Sequence, residues 1–158
     1  MKQAPKALHI VLNGVVEDSR VLKCAWPLGN AGWDVLVCGS TPSGKVDQLS
    51  IGYATISRIP LKFTFNGKLI AKVLRKIRYT SRKAIEKLKP NSQSQIPNFS
   101  KAVKNLTPVA LEFSPDVIHA HDYTALPIAT EITLLLRAQG KKVSLVYDAH
   151  EYVPGVSH

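Results

Sequence analysis

Residues Asp116–Ala129 read DVIHAHDYTALPIA, and the order of types in this stretch decides the fold. Asp116–Ala120 is a short apolar run, closed by the polar group His121-Asp122-Tyr123. Ala125–Gln139 then carries helical spacing up to Gly140, and Val143–Tyr147 is a second short apolar run. Strand, helix and strand in succession predict a parallel pair joined by a crossover helix. The same alternation extends upstream. Ala7–Leu12 reads as the first strand, ending at the turn Asn13-Gly14. Asp18 or Ser19 caps a helix through Leu28 that Pro27 should bend or end early, with Gly29 or Gly32 closing it. Trp33–Cys38 is the second strand, Gly39–Gly52 a loop rich in Ser, Thr, Gly and Pro, and Ala54–Ile59 the third strand. A long helix is predicted from Lys68 to Leu88, a connector over 90–98, and a helix over Phe99–Phe113 interrupted near Pro108.

Nearly continuous apolar strands separated by helices call for a parallel sheet covered on both faces. The expectation is an α/β, doubly wound, Rossmann-like single domain over 1–158. Its five strands, Asp116–Ala120 the fourth and Val143–Tyr147 the fifth, take the order 3-2-1-4-5. In that order the first and fourth strands meet at the switch point, where a crevice opens at their C-terminal ends. The polar clusters Asn13–Arg20, His121–Tyr123 and Asp148–Tyr152 all fall at this rim.

The motifs at the rim exclude several chemistries. The first loop has one glycine, so the dinucleotide fingerprint is absent, and Ser43–Lys45 lacks the rest of a P-loop. His150-Glu151 begins like a zinc-protease motif, but Pro154 stands where the second histidine is needed. His119 and His121 share one strand face, yet no third ligand has metal-site spacing, so neither metal nor cofactor is expected. Cys24 and Cys38 have no partner at metal or redox spacing and read as small apolar residues. His119 reads as an interior strand histidine, and His121 and His150, at strand ends, as ligand contacts. Gly14 either shapes the turn or lets a ligand approach the backbone. Arg20 opposes the helix dipole in the first turn, which hints at an anionic partner.

Three blocks, NGVVEDSRVLKCAWPLGNAGWDVLVCG at Asn13–Gly39, SPDVIHAHDYTALPIA at Ser114–Ala129 and LVYDAHEYVPG at Leu145–Gly155, resemble the N-terminal domain of group 1 (family 4) retaining glycosyltransferases of GT-B fold. The resemblance covers all but the basic middle of the chain. It implies a domain that binds the glycosyl acceptor, facing a C-terminal domain that holds the nucleotide sugar, with no metal. It implies that His121 is the catalytic cleft histidine and that Gly14 lies near the donor diphosphate. Asp18, Arg20, Asp122, His150 and Glu151 are implied as acceptor-side rim positions. The C-terminal donor motif of two glutamates eight positions apart does not occur, so the donor domain is expected outside this chain, and the chain alone is expected to be inactive. The alternative is a non-catalytic binding module for an anionic ligand.

The formal charge of +10 is local. Arg58 to Lys89 holds eleven basic residues and one acidic residue, Glu86, while the remainder is balanced. On the predicted helix Leu69, Val73, Ile77 and Ile85 form an apolar side, and Lys68, Lys72, Arg75, Lys76, Arg78, Arg82 and Lys83 cover much of the rest. Nucleic acid is a poor fit: Phe63 and Phe65 precede this helix and only Tyr79 lies within it, too few aromatics for base stacking. An anionic bilayer fits better, at about 1 kcal/mol per basic residue near the surface. The N-terminus has no cleavable leader pattern, so the expected location is the cytoplasm, at the inner face of the membrane. Anionic liposomes should therefore co-sediment the protein at low salt, and neutral liposomes should not. Changing Lys72, Arg75, Lys76 and Arg78 together to Glu should abolish the difference, and binding that survives this change would refute the membrane reading.

Overall fold

The computed structural model describes residues 3–41, 43, 45–59 and 99–149. Most of the basic segment, with the predicted Lys68–Leu88 helix and its cationic residues, lies outside the described residues, as do His150 and Glu151. The elements are β1 (Lys6–Ile10), α1 (Ser19–Asn30), β2 (Asp34–Ser40), β3 (Asp47–Ile51), β4 (Ala54–Ile59), α2 (Phe99–Phe113), β5 (Val117–His121), α3 (Asp122–Ala138) and β6 (Ser144–Asp148). They build one six-stranded sheet of order β3-β4-β2-β1-β5-β6. All pairs are parallel except β3 with β4. The five expected strands keep their expected order, with β1 and β5 side by side at the switch point.

β3 is a correction. Asp47–Ile51 lies in the stretch read as a loop, and it forms an antiparallel edge strand folded back on β4. Only Leu49 and Ile51 pack inward, against the buried core. Gly52, at φ +58°, makes the turn under the Trp26 indole. An antiparallel edge on an otherwise parallel sheet is a common arrangement.

Alternation along the strands divides the core. Ala7 and Val11 on β1 pack with Val35 and Val37 on β2, Ile56 on β4 and the buried face of α1, Val21 and Ala25. Leu8, Ile10, Ile118 and Ala120 face the other way, against α2 and α3, where Leu106, Ala110, Ile128, Ile132 and Leu136 meet them. His9, His119 and His121 fall in the odd-numbered register and so share the α1 face.

Two helices run through prolines expected to break them. α1 continues past Pro27 to Asn30, with Pro27 and Lys23 both exposed, so the carbonyl that loses its bond is near water. α2 is continuous through Pro108. α3 starts at Asp122 rather than Ala125, leaving no linker after β5, and Gly140 at φ +83° follows its end as expected. Among the described residues no helix is long and apolar enough to cross a membrane.

The loop after β1 is held by steric fit to β2. Val15 has φ +68°, a conformation that β-branched residues rarely adopt. A Cβ on Gly39 would run into the Val15 side chain and come within 2.8 Å of the Asn13 carbonyl oxygen. Gly39→Ala is therefore expected to lower stability by about 1–3 kcal/mol, read as a lower urea midpoint. An unchanged midpoint would show that the loop can shift at no cost.

Candidate functional site

The first wall of the site is the segment joining β1 to α1. Asp18 is the N-cap of α1 and accepts hydrogen bonds from the Arg20 and Val21 backbone N–H groups. Its carboxylate also accepts from Asn13 Nδ2 at 2.7 Å and from Arg20 Nε and Nη2, each at 3.2 Å. Asn13 Oδ1 accepts from the Val15 N–H, and the Asn13 carbonyl accepts from the Ser40 N–H, which ties the loop to β2. Burial alone would raise the Asp18 pKa, but the bonds from Arg20, Asn13 and Val21 outweigh it and hold the carboxyl at about 2. The basic residue in the first turn thus has a partner inside the chain, Asp18, which offsets its unfavourable place on the helix dipole.

These residues line a groove of about 590 Å³ formed by Asn13–Arg20 and Arg58. Arg58 reaches it from β4, anchored by two bonds to Asp47 of β3 at 2.7 and 2.8 Å. Gly14 is exposed, and a Cβ there would meet nothing within 4 Å. The open face of its Cα is where a ligand can come close to the backbone. Sequence reasoning missed Arg58 as a groove residue, because its position follows from the β3–β4 hairpin.

The second part of the site is a cluster of histidines beneath α1. His121 is fully buried at the end of β5. Its Nε2 stands 3.0 Å from His9 Nδ1, with the two rings inclined by 16° and their centroids 5.3 Å apart. That separation is what an in-line N–H···N bond produces. His119 stacks on His121 with centroids 4.2 Å apart and is half-buried. Asp148 on β6, paired in register with His121, places Oδ2 3.6 Å from His121 Nδ1. Burial, then the neighbouring His119 and His121 rings, push the His9 pKa down to about 3. Cys24 of α1 is near enough to His121 and Asp148 for the three to hold a metal ion, as are His9, His119 and His121. Within the second set, His9 Nδ1 and His121 Nε2 are already engaged with each other. Burial and the carboxylates of Asp148 and Asp18 raise the Cys24 thiol pKa, so it stays protonated.

Gly14, Asp18 and Arg20 line this groove, whereas His121 and Asp122 are not among its lining residues. The strand register turns His121 inward under α1, and His150 and Glu151 lie outside the described residues. Asp122 is half-buried at the junction of β5 and α3 with φ +71°, and its buried Oδ1 has no hydrogen-bond partner among the described residues. His9 was not singled out from sequence, and Asp148 only as the first residue of a polar cluster at the rim. His9 could have been found by aligning Ala7–Leu12 with Asp116–Ala120, which sets it opposite His119.

No protein-family model matches the chain, and no curated protein matches it in sequence. Its fold has clear counterparts. A sucrose-phosphate synthase from Thermosynechococcus elongatus superposes with a TM-score of 0.55 over 93% of this chain at 13% identity. A second structure of that protein gives 0.53 over 94% at 14% identity. The chain spans 33% of the first and 65% of the second. At this identity the likeness establishes the Rossmann-like fold.

Two measurements probe the site. Asp18→Ala should cost about 1–2 kcal/mol through the lost cap, and a melt unchanged from wild type would show that Asp18 does not hold the loop. For His9 the unfolded imidazole titrates near 6.5 and the folded one near 3. Its contribution is full above pH 6.5 and is lost as pH falls toward 3, by up to ~1.4 kcal/mol per pH unit. Stability of His9→Asn should therefore vary less steeply with pH than wild type between about pH 4 and 6. Parallel profiles would mean that His9 can take up a proton in the folded state.

Proposed function

We propose that this chain is the acceptor-binding half of a retaining glycosyltransferase of GT-B fold, which moves a sugar from a nucleotide sugar to a hydroxyl acceptor. One observation carries the reading. The three blocks of sequence that resemble such enzymes, far apart in the chain, come to the same end of three adjacent strands, β1, β5 and β6. Ligands of open parallel sheets bind at that end, at the switch point. The fold shared with a sucrose-phosphate synthase, itself a GT-B glycosyltransferase, supports the same class.

In this reading Gly14 lets the donor diphosphate approach the loop, while Asp18 and Arg20 shape the acceptor groove. His121 belongs to the catalytic centre and Asp122 to the acceptor rim, with His150 and Glu151 completing that rim. A retaining transfer must stabilise the departing nucleoside diphosphate, which needs positioned cations or amides. Most of these are assigned to a second, donor-binding half, so the proposed role of this half is to hold and orient the acceptor hydroxyl. No resident metal or organic cofactor is part of the proposal.

The test uses the protein that contains both halves. His121→Ala and His121→Gln should each lower turnover on the order of a hundredfold, the effect of misplacing a reacting group by about 1 Å. The Gln variant retains polar volume at a fully buried position, so its thermal melt should stay close to wild type. Near-normal turnover in a folded His121→Gln protein would remove His121 from the mechanism. Residues 1–158 alone should bind acceptor without transferring sugar, and transfer by this chain alone would refute the division of labour.

A further inference from the structure

The pairing of β1 with β5 sets His9 against His119 and one step from His121, on the same face of the sheet. His9 and His121 are both fully buried, and the contact between Nδ1 of one and Nε2 of the other is 3.0 Å. One proton lies on that line, so only two arrangements of a neutral pair are possible. In the first, His9 Nδ1–H donates to His121 Nε2, and the proton of His121 is on Nδ1, 3.6 Å from Asp148 Oδ2. In the second, His121 Nε2–H donates to His9 Nδ1. The lone pair of His121 Nδ1 then faces the Asp148 carboxylate, and the His9 proton moves to Nε2, a buried atom with no acceptor among the described residues. The second arrangement opposes two negative ends and buries an unsatisfied donor, and both are costly away from water. In the first, the His121 N–H stands beside the Asp148 carboxylate, an attraction in place of a repulsion although 3.6 Å is longer than a hydrogen bond. The Nε2 of His9 is then a bare acceptor rather than a buried donor.

We propose that His9 is a positioning residue: it donates from Nδ1 to His121 and so fixes His121 as the Nδ1–H tautomer, with that N–H turned toward Asp148 at the rim. The side chain of Asp148 is 28% exposed, so it is the member of this chain of groups that a bound acceptor can reach. A residue in the middle of the sheet thereby sets which hydrogen-bonding edge His121 shows to the site. The catalytic use of this arrangement rests on the glycosyltransferase reading, while the tautomer assignment does not.

The test is nitrogen-15 NMR of this chain labelled at histidine, where protonated and bare ring nitrogens have distinct shifts and couplings. His121 is expected to carry its proton on Nδ1 with Nε2 bare. His9→Asn, whose side-chain N–H stands near the place of the imidazole Nδ1–H, should keep that state. His9→Leu should shift the tautomer ratio of His121 about tenfold toward Nε2–H, the worth of one buried hydrogen bond. Wild-type His121 protonated on Nε2, or a ratio unmoved in His9→Leu, overturns the proposal. If His9→Leu fails to fold, the wild-type tautomer and the His9→Asn spectrum still decide it. In the enzyme with both halves, His9→Leu should lower kcat about tenfold with KM unchanged, and His9→Asn should restore it. A shifted tautomer with unchanged kcat upholds the His9–His121 coupling and refutes the reading of function that gives it catalytic use.

Discussion

The pairing of β1 with β5 is the constraint on which the rest depends. It joins Ala7–Ile10 to Val117–Ala120 across more than a hundred residues of chain. Chain direction across the sheet reverses at this pair. α1 therefore covers one face, and α2 and α3 cover the other. A parallel sheet buried on both sides asks for uninterrupted apolar strands, and β1 and β5 comply except at the leading Lys6 and at three histidines. A slip of one residue in this register would turn Leu8, Ile10, Ile118 and Ala120 away from α2 and α3. It would also separate His9 from His121. The same hydrophobic alternation thus specifies both the core and the histidine contact inside it.

Around that pair the site is pre-formed. Asp18 collects five hydrogen bonds from Asn13, Arg20 and Val21, so the loop after β1 has a single arrangement. Val15 sits at positive φ with its side chain against Gly39, and such strain persists only where the surroundings over-determine it. The Asp47–Arg58 pair fixes the opposite lip of the groove in the same manner, at the partly exposed edge of the sheet. A groove whose polar groups are already oriented spends less of a ligand's binding free energy on ordering.

The strands, their order and the crevice were legible because burial on both faces leaves a period and a composition in the sequence. β3 was not, since an edge strand needs only Leu49 and Ile51 to pack and its other residues look like a loop. Pro27 and Pro108 misled for the opposite reason. Proline removes one hydrogen bond, and burial of the helix face around it outweighs that loss. Of the site, Gly14, Asp18 and Arg20 were legible as a contiguous polar segment. The inward turn of His121 was not, because which strand face meets α1 is a tertiary fact. Arg58 enters from another strand, and sequence spacing carries no trace of such a meeting.

The histidine cluster is the place where local chemistry and fold stability disagree. His9 occupies a β1 position flanked on its own face by Ala7 and Val11, and a valine or leucine there would suit a parallel strand better. Burial of His9, and after it the neighbouring rings of His119 and His121 within 5.3 Å, disfavour its protonation, which is why the His9 pKa falls so far. A protein that needed only a sheet at this point has no use for such a group, since it gives up stability at acid pH and leaves Nε2 of His9 buried without a partner among the described residues. Departures of this kind from apolar packing concentrate at sites where a side chain has a task. The path from His9 through His121 ends at the partly exposed carboxylate of Asp148, at the end of the sheet where the groove lies. The cluster therefore connects the interior of the sheet to the rim proposed for the acceptor, rather than serving as part of the packing alone.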